Sequence, residues 1–292
     1  MMNAIGGGIM TDVGKRGLLT ELNEIYRIHD LDLSAVNLEI CPEDTMFTKG
    51  DEDHYFNVGL SCLKSILLAL SSAQKDKSGI KTILDFPSGW GRELRFIKAY
   101  FPDAEITAGD LEEGALRFCK DQFDAVPLLS RKDFSRITLV KKFDLIWCGS
   151  LLTHLNEDKA LELLNFFHEA LNKDGILSFT SQGRFSNYLL DSGKCNYGLE
   201  GAECQTLMQQ YELRGYGFVN YLGAEDYGIS LIKPSHIIKM TERNKNWKLI
   251  MYSEKKYDNH QDVISFLKEP VSNICMRPWL DRWIKRQESE KL

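Results

Sequence analysis

From Lys81 onward, short apolar runs alternate with amphipathic segments, and this alternation constrains the fold more than any other feature of the chain. The runs TILDF, EITAGD, AVPLLS, FDLIWCGS and GILSFTSQ have the length and composition of buried strands. Between them, RELRFIKAYF, EEGALRFCKDQF and NEDKALELLNFFHEAL carry apolar residues at helical spacing. Strands alternating with helices imply βαβ crossovers, and therefore a mostly parallel sheet with helices on both faces. Asn156 followed by Glu157 and Asp158 supplies a cap and negative charge at one helix start. Lys173-Asp174-Gly175 predicts the end of that helix before the next strand.

This pattern divides the chain. Residues 1–80 form a helical cover, in which Val58, Leu60, Leu63, Ile66, Leu67 and Leu70 recur at helical spacing between Asp53 and Ser72. Residues 81–183 are the alternating core. In residues 184–230 the alternation stops, and the stretch reads as an inserted lid with one helix from Glu200 to Leu213. Residues 231–269 predict a last helix, with Pro234 and Ser235 at its start, and a final strand pair. Residues 270–292 carry Trp279, Leu280, Trp283 and Ile284 as an amphipathic tail helix.

The stretch ILDFPSGWGRELRFI passes from strand to helix through Gly89 and Gly91. Glycines there let a ligand approach the backbone, and the helix N-terminus presents unpaired N–H groups. Two glycines also suit an ordinary connection between a strand and a helix. Asp110, at the end of EITAGD, adds a second signal about twenty residues on, where an acid accepts hydrogen bonds from ribose hydroxyls. The same side chain is also placed to cap the helix that follows.

Taken together, LDFPSGWGR, AGDLEEGAL, FDLIWCGSLLTHL and LNKDGILSF resemble the motifs of class I S-adenosylmethionine-dependent methyltransferases, over Lys81 to Thr180. DYGISLIKPSHIIKM and WKLIMYSEKKYDNHQDVISF are similar to the last helix and terminal strands of a bacterial subgroup associated with polysaccharide or small-molecule modification. The resemblance implies a Rossmann-like, seven-stranded, mostly parallel α/β sheet with an antiparallel last strand, helices on both faces and a helical N-terminal cover. It implies S-adenosyl-L-methionine as cofactor and a small-molecule or glycan acceptor, methylated at oxygen. By the same resemblance, Asp85 organises the turn of Pro87 and Ser88 near the ligand's amino group, and Gly89 and Gly91 admit its methionine portion. Asp110 holds the ribose and Leu111 flanks the adenine, with Asp133 and Phe134 the nearest match to a further adenine-contacting pair. Cys148, Gly149 and Ser150 border the crevice at the end of the fourth strand. Pro87 replaces the first glycine of the usual motif. That departure weighs against a nicotinamide dinucleotide, whose pyrophosphate needs the tight glycine turn.

On the acceptor side, His154 follows the fourth strand and is a candidate general base, or else a packing or capping histidine. Tyr55, Arg184, Tyr221, Tyr227 and His260 are candidate acceptor contacts. Cys148 invites a nucleophile reading, but no basic neighbour is evident and a buried structural cysteine is the commoner case. The formal net charge of −6 supplies no global positive field for nucleic acid, and the chain lacks the N/D-P-P-Y/F run of many base-amino methyltransferases. Six histidines without ligand spacing give no case for a metal. Seven scattered cysteines without a C-x-x-C pair predict reduced thiols and a cytoplasmic location. MMNAIGGGIM does not read as a secretory signal, and the longest apolar run, Ser65 to Leu70, is far below membrane-span length. Two rival readings stand beside methyl transfer: a cofactor-binding regulator without activity, and a nicotinamide-dependent oxidoreductase. The sequence leaves the oligomeric state open.

Overall fold

The computed structural model describes residues 33–242 and 246–269. The expected tail helix, Cys275 and the segment MMNAIGGGIM lie outside the described residues. In chain order the elements are α1 (Glu52–Ser72), β1 (Thr82–Asp85), α2 (Leu94–Tyr100), β2 (Glu105–Asp110), α3 (Glu113–Phe123), β3 (Val126–Leu129) and β4 (Phe143–Cys148). They continue with α4 (Glu157–Ala170), β5 (Leu171–Ser181), α5 (Arg184–Asp191), α6 (Gly201–Arg214), β6 (Tyr216–Asn220), β7 (Gly228–Ile232), α7 (Pro234–Thr241), β8 (Trp247–Tyr257) and β9 (Gln261–Lys268).

Seven strands form one sheet in the order β3-β2-β1-β4-β5-β9-β8. The pairs among β1 to β5 are parallel, whereas β9 runs antiparallel to both β5 and β8. The strand order reverses between β1 and β4, and such a switch point opens a crevice at the carboxyl ends of the strands. Asp85 sits there, opposite Ala108 of β2 and Trp147 of β4.

Successive strand residues feed opposite faces of the sheet. Ile83 joins Val58, Ile66, Leu94, Ile97 and Leu116 under α1, α2 and α3, while Leu84 joins Phe143, Leu163, Phe167 and Ile237 under α4 and α7. The α1 helix has the length and apolarity of a membrane span, but most of its apolar window is covered by the fold. Burying Leu60, Leu63 and Ile66 stabilises it by about 1.5–3 kcal/mol each, so packing rather than propensity holds this helix in place. At Gly59 the helix touches the backbone oxygen of Arg92, and any side chain there would collide with it.

Two boundaries differ from expectation. Helix α4 starts at the Asn156 cap as expected, with Asn156 accepting from the Lys159 N–H, but it ends at Ala170. Leu171 already pairs with Phe143, and the Lys173–Gly175 turn is an irregularity inside β5, where the register jumps before Leu145 meets Ile176. The segment expected to be lid with one helix also carries α5 and the antiparallel pair β6 and β7, with β7 crossing the 230/231 boundary. The expected helix is α6, whose Glu200 and Glu203 form a reciprocal capping box. Leu190, Leu199, Leu207, Tyr211, Ile229 and Leu231 give this region a small core of its own.

Arg95 of α2 is 1% exposed. Its Nε donates to the Gly91 carbonyl at 3.0 Å and its Nη1 to the carbonyls of Asn37 and Glu39, both at 2.9 Å. The guanidinium lies over the rings of Tyr55, Phe56 and Phe123. One side chain thus ties the preceding segment to the β1–α2 turn. Arg95→Met takes the donor from the Asn37 and Glu39 carbonyls, leaves the Gly91 carbonyl only the Arg95 backbone N–H, and should cost about 2–4 kcal/mol. Urea denaturation checks this, and a change below roughly 0.5 kcal/mol would show the contacts to be dispensable.

Candidate active site

The turn after β1 is built from backbone bonds. The Ser88 N–H donates to the Gly109 carbonyl at 3.0 Å, Gly91 N–H to the Ser88 carbonyl at 3.0 Å, and Gly89 N–H to Asp110 Oδ2 at 2.8 Å. Pro87 follows a cis peptide bond, and Ser88 is 1% exposed. Gly89 has φ +48° and no heavy atom within 4 Å of where a Cβ would stand, so its face is open to a ligand. Gly91 is different. A Cβ there would collide with the Phe123 ring, so this glycine makes room for the end of α3.

Asp85 does not organise the turn as expected. It is fully buried, and neither carboxylate oxygen has a hydrogen-bond partner among the described residues. Burial, reinforced by the charges of Glu93 and Asp110, pushes its carboxyl well above the usual range. Asp110 organises the turn instead, because its Oδ1 also accepts from the Glu112 N–H at 3.0 Å. The cap of α3 belongs to Glu112, which accepts from the Gly114 N–H at 3.1 Å. A carboxylate oxygen accepts more than one hydrogen bond, so Asp110 keeps capacity for hydroxyls. Leu111 beside it is 56% exposed.

These residues fit an adenosyl ligand carrying an amino-acid end. Gly89 offers an open backbone, Asp110 has acceptor capacity that suits ribose hydroxyls, and exposed Leu111 offers apolar surface to a base. Asp85 holds a buried carboxyl group without a hydrogen-bond partner among the described residues, which an ammonium group would complete and ionise. Asp133 and Phe134, expected beside the adenine, are engaged within the protein. Phe134 is a core residue, edge-on to Phe86 at 6.3 Å, because its ring completes the face under α4. Asp133 spends its carboxylate on the Ser135 N–H at 3.1 Å and on Arg136 at 2.9 Å.

At the end of β4, Cys148 is fully buried, and burial pushes its thiol well up, which leaves a neutral packing group. Gly149 lies against Trp147 Nε1 and the Tyr257 hydroxyl, 3.1 and 3.5 Å from its Cβ position. Ser150, at φ +55°, is held by side chains that sequence reasoning missed. Its N–H donates to Thr180 Oγ1 at 2.7 Å, Thr180 Oγ1 donates to Gln261 Oε1 at 2.6 Å, and Gln261 Nε2 donates to Ser150 Oγ at 3.0 Å. This turn therefore joins β4, β5 and β9, a long-range network with no local sequence signature.

His154 follows in the same turn. Its Nδ1 lies 2.8 Å from the Gly228 carbonyl, and since a carbonyl only accepts, Nδ1 carries the hydrogen and Nε2 the lone pair of the neutral ring. Burial lowers its pKa, partly opposed by the Gly228 bond. Tyr227 stacks on the imidazole at 5.0 Å, and the Tyr221 ring stands 6.0 Å away. The structure thus brings three of the candidate residues together. His260 continues the wall: its Nε2 is 2.8 Å from the Tyr197 hydroxyl, and the next residue, Gly198, faces the Tyr221 ring.

Two candidates fall elsewhere. Arg184 pairs with Glu254 of β8 at 2.6 Å rather than with the His154 group. Tyr55 is 1% exposed between Phe47 and Phe56 and donates its hydroxyl to Asp44 at 2.6 Å, which makes it a core residue. Two surface cavities, about 630 and 550 Å³, involve neither Gly89, Asp110 nor His154. The strand ends, with their open backbone and unspent polar groups, carry the assignment.

Asp110→Ala removes the acceptor of the Gly89 N–H and, with it, the acceptor that would serve ribose. It should weaken S-adenosylhomocysteine binding by about 1–3 kcal/mol. Calorimetric titration of a folded variant checks this, and unchanged affinity would remove Asp110 from the ligand site.

Comparison with known proteins agrees with this geometry. The family model described as a methyltransferase domain matches residues 84–177. Malonyl-[acyl-carrier protein] O-methyltransferase of Laribacter hongkongensis is 29% identical over 131 residues, covering 41% of this chain and 43% of that protein. The protein of the same name from Acetivibrio thermocellus is 27% identical over 105 residues, covering 36% of each. The chain therefore matches less than half the length of these curated relatives. Among solved structures, a plantazolicin methyltransferase in complex with a pentazolic desmethyl analogue and S-adenosylhomocysteine superposes with a TM-score of 0.50. It is 13% identical, over 89% of this chain and 92% of the other, and so speaks for the fold alone. With the sheet order and the loop geometry, these matches show a class I S-adenosylmethionine-dependent methyltransferase domain over residues 84–177.

Proposed function

We propose that this protein transfers the methyl group of S-adenosylmethionine to an oxygen of a small-molecule or glycan acceptor, with His154 taking the acceptor's proton. The cofactor supplies a methyl group activated on a sulfonium. The residues then have to align the acceptor and receive its proton. The observation that carries the reading is the His154 imidazole, whose Nδ1 is tied to the Gly228 carbonyl so that Nε2 is the basic nitrogen. Tyr221 and Tyr227 beside it offer faces for a ring-shaped acceptor, and the Ser150 turn fixes the backbone that carries it. That both curated relatives are named as O-methyltransferases supports oxygen as the acceptor atom.

Only a neutral His154 accepts a proton. Because burial lowers its pKa from 6.5, the ring is neutral at pH 7, and turnover should fall only as pH drops through a value below 6.5. The sign for stability is the same. The unfolded chain binds this proton more readily, so the contribution of His154 is present above about pH 6.5 and is lost below it. His154→Ala should lower turnover about 10²- to 10⁴-fold while sparing affinity for S-adenosylhomocysteine. Once an acceptor is identified by release of S-adenosylhomocysteine, turnover against pH and melting temperature for both proteins test this. Near-normal turnover in the variant, or a loss explained wholly by unfolding, would return His154 to a packing role.

A further inference from the structure

One stretch beside the candidate acceptor wall departs from regular strand geometry. Between the pairs Ser253–Val263 and Tyr257–Gln261, the residues Glu254, Lys255 and Lys256 of β8 stand opposite Asp262 alone. Lys255 takes φ +57° in this bulge, a left-handed conformation that side chains rarely adopt. Asp262, which is fully buried, holds it there: its Oδ1 accepts from the Lys255 N–H at 3.0 Å and its Oδ2 from the Tyr252 hydroxyl at 2.7 Å. A bulge re-aims a side chain, and this one carries the Lys255 ammonium over the Phe185 ring of α5, 3.9 Å from its centroid.

A second ammonium group stands on the same helix. Phe185 and Tyr188 are neighbours on one face of α5, with their rings stacked at 6.4 Å. Lys194 Nζ lies 4.9 Å from the Tyr188 centroid and donates to its hydroxyl at 2.9 Å. An aromatic face steadies a cation without neutralising its charge. Neither lysine forms an ion pair with a carboxylate among the described residues, and Glu254, the acid next to Lys255, is held by Arg184 at 2.6 Å. In a chain of formal net charge −6, two such cations make a local positive rim. The rim is continuous with the wall around His154. Phe185 meets the His260 ring edge-on at 6.0 Å, His260 reaches the Tyr197 hydroxyl, and Gly198 beside it faces the Tyr221 ring. Gln261, next to His260, holds the Ser150 turn from which His154 follows.

We infer that Lys194 and Lys255 form an anion-recognition site at the outer end of this wall, which receives a carboxylate or phosphate group that the acceptor carries away from its reacting oxygen. This rests on the reading of the His154 wall as the acceptor side, and it narrows the acceptor to acidic molecules. A lysine ammonium is a point charge with three rotatable donors, so it serves either anion.

The experiment uses phenols that carry a carboxylate, a phosphonate or a neutral carboxamide at the end of an alkyl chain of graded length. Each is titrated calorimetrically into the protein loaded with S-adenosylhomocysteine, and each is also offered with S-adenosylmethionine to detect turnover. The wild type should bind the acids about threefold to tenfold more tightly than the carboxamide of the same length, and the carboxylate and phosphonate arms decide which anion is preferred. The double variant Lys194→Met, Lys255→Met should lose that preference while keeping its affinity for S-adenosylhomocysteine, which shows that it is folded. Lys255→Arg should retain the preference. Equal binding of acid and carboxamide, binding of no member, or a preference that survives the double substitution would overturn the inference. A preference for acids without formation of S-adenosylhomocysteine from any member would contradict methyl transfer to oxygen and leave the anion site standing.

Discussion

The hydrogen bond from the Gly89 N–H to the Asp110 carboxylate joins the ends of β1 and β2 across 21 residues of chain. Its second oxygen takes the Glu112 N–H, so the same carboxylate fixes the entry to α3. One side chain therefore sets the exposed backbone, the acid offered to ribose and the direction of the following helix. Gly89 stands at φ +48°, a region that side chains rarely adopt, with open space where a Cβ would be. Asp85, at the end of β1, is buried with neither carboxyl oxygen hydrogen-bonded among the described residues, a costly arrangement.

The proposed cofactor end and the proposed acceptor end are built differently. Strand ends and backbone bonds hold the first, and these are inseparable from the core. The second is assembled from the β4 turn, the β6–β7 hairpin and the start of β9, with His154, Tyr221, Tyr227 and the Ser150–Thr180–Gln261 network at its centre. Loops on a rigid sheet change without disturbing the fold, which is how one scaffold serves many acceptors. The plantazolicin methyltransferase shares the fold at 13% identity, and that likeness says nothing of what this chain methylates.

The parts that were legible in sequence are those written in local periodicity. Strand–helix alternation gave the parallel sheet, Asn156 gave the start of α4, and the spacing of Gly89 to Asp110 gave the loop and its acid. What stayed hidden depends on contacts between distant residues. Tyr55 lies on a helix whose period does not say which neighbour covers it, and Arg95 and Phe47 turn it inward. Gly91 looked like a ligand glycine, yet it serves the Phe123 ring. Arg184 finds Glu254 some 70 residues away, and Gln261 finds Ser150 across 111. The β6–β7 pair was missed because YGFVN and GISLI are short and the turn between them is polar, so the stretch reads as irregular.

A crystal structure with S-adenosylhomocysteine bound tests the account most directly. The account predicts the ribose hydroxyls against Asp110, the adenine over Leu111, and the sulfur directed toward the space beside His154 and Tyr221. An adenosyl ligand bound away from Gly89 and Asp110, or a sulfur turned away from the His154 wall, would contradict it.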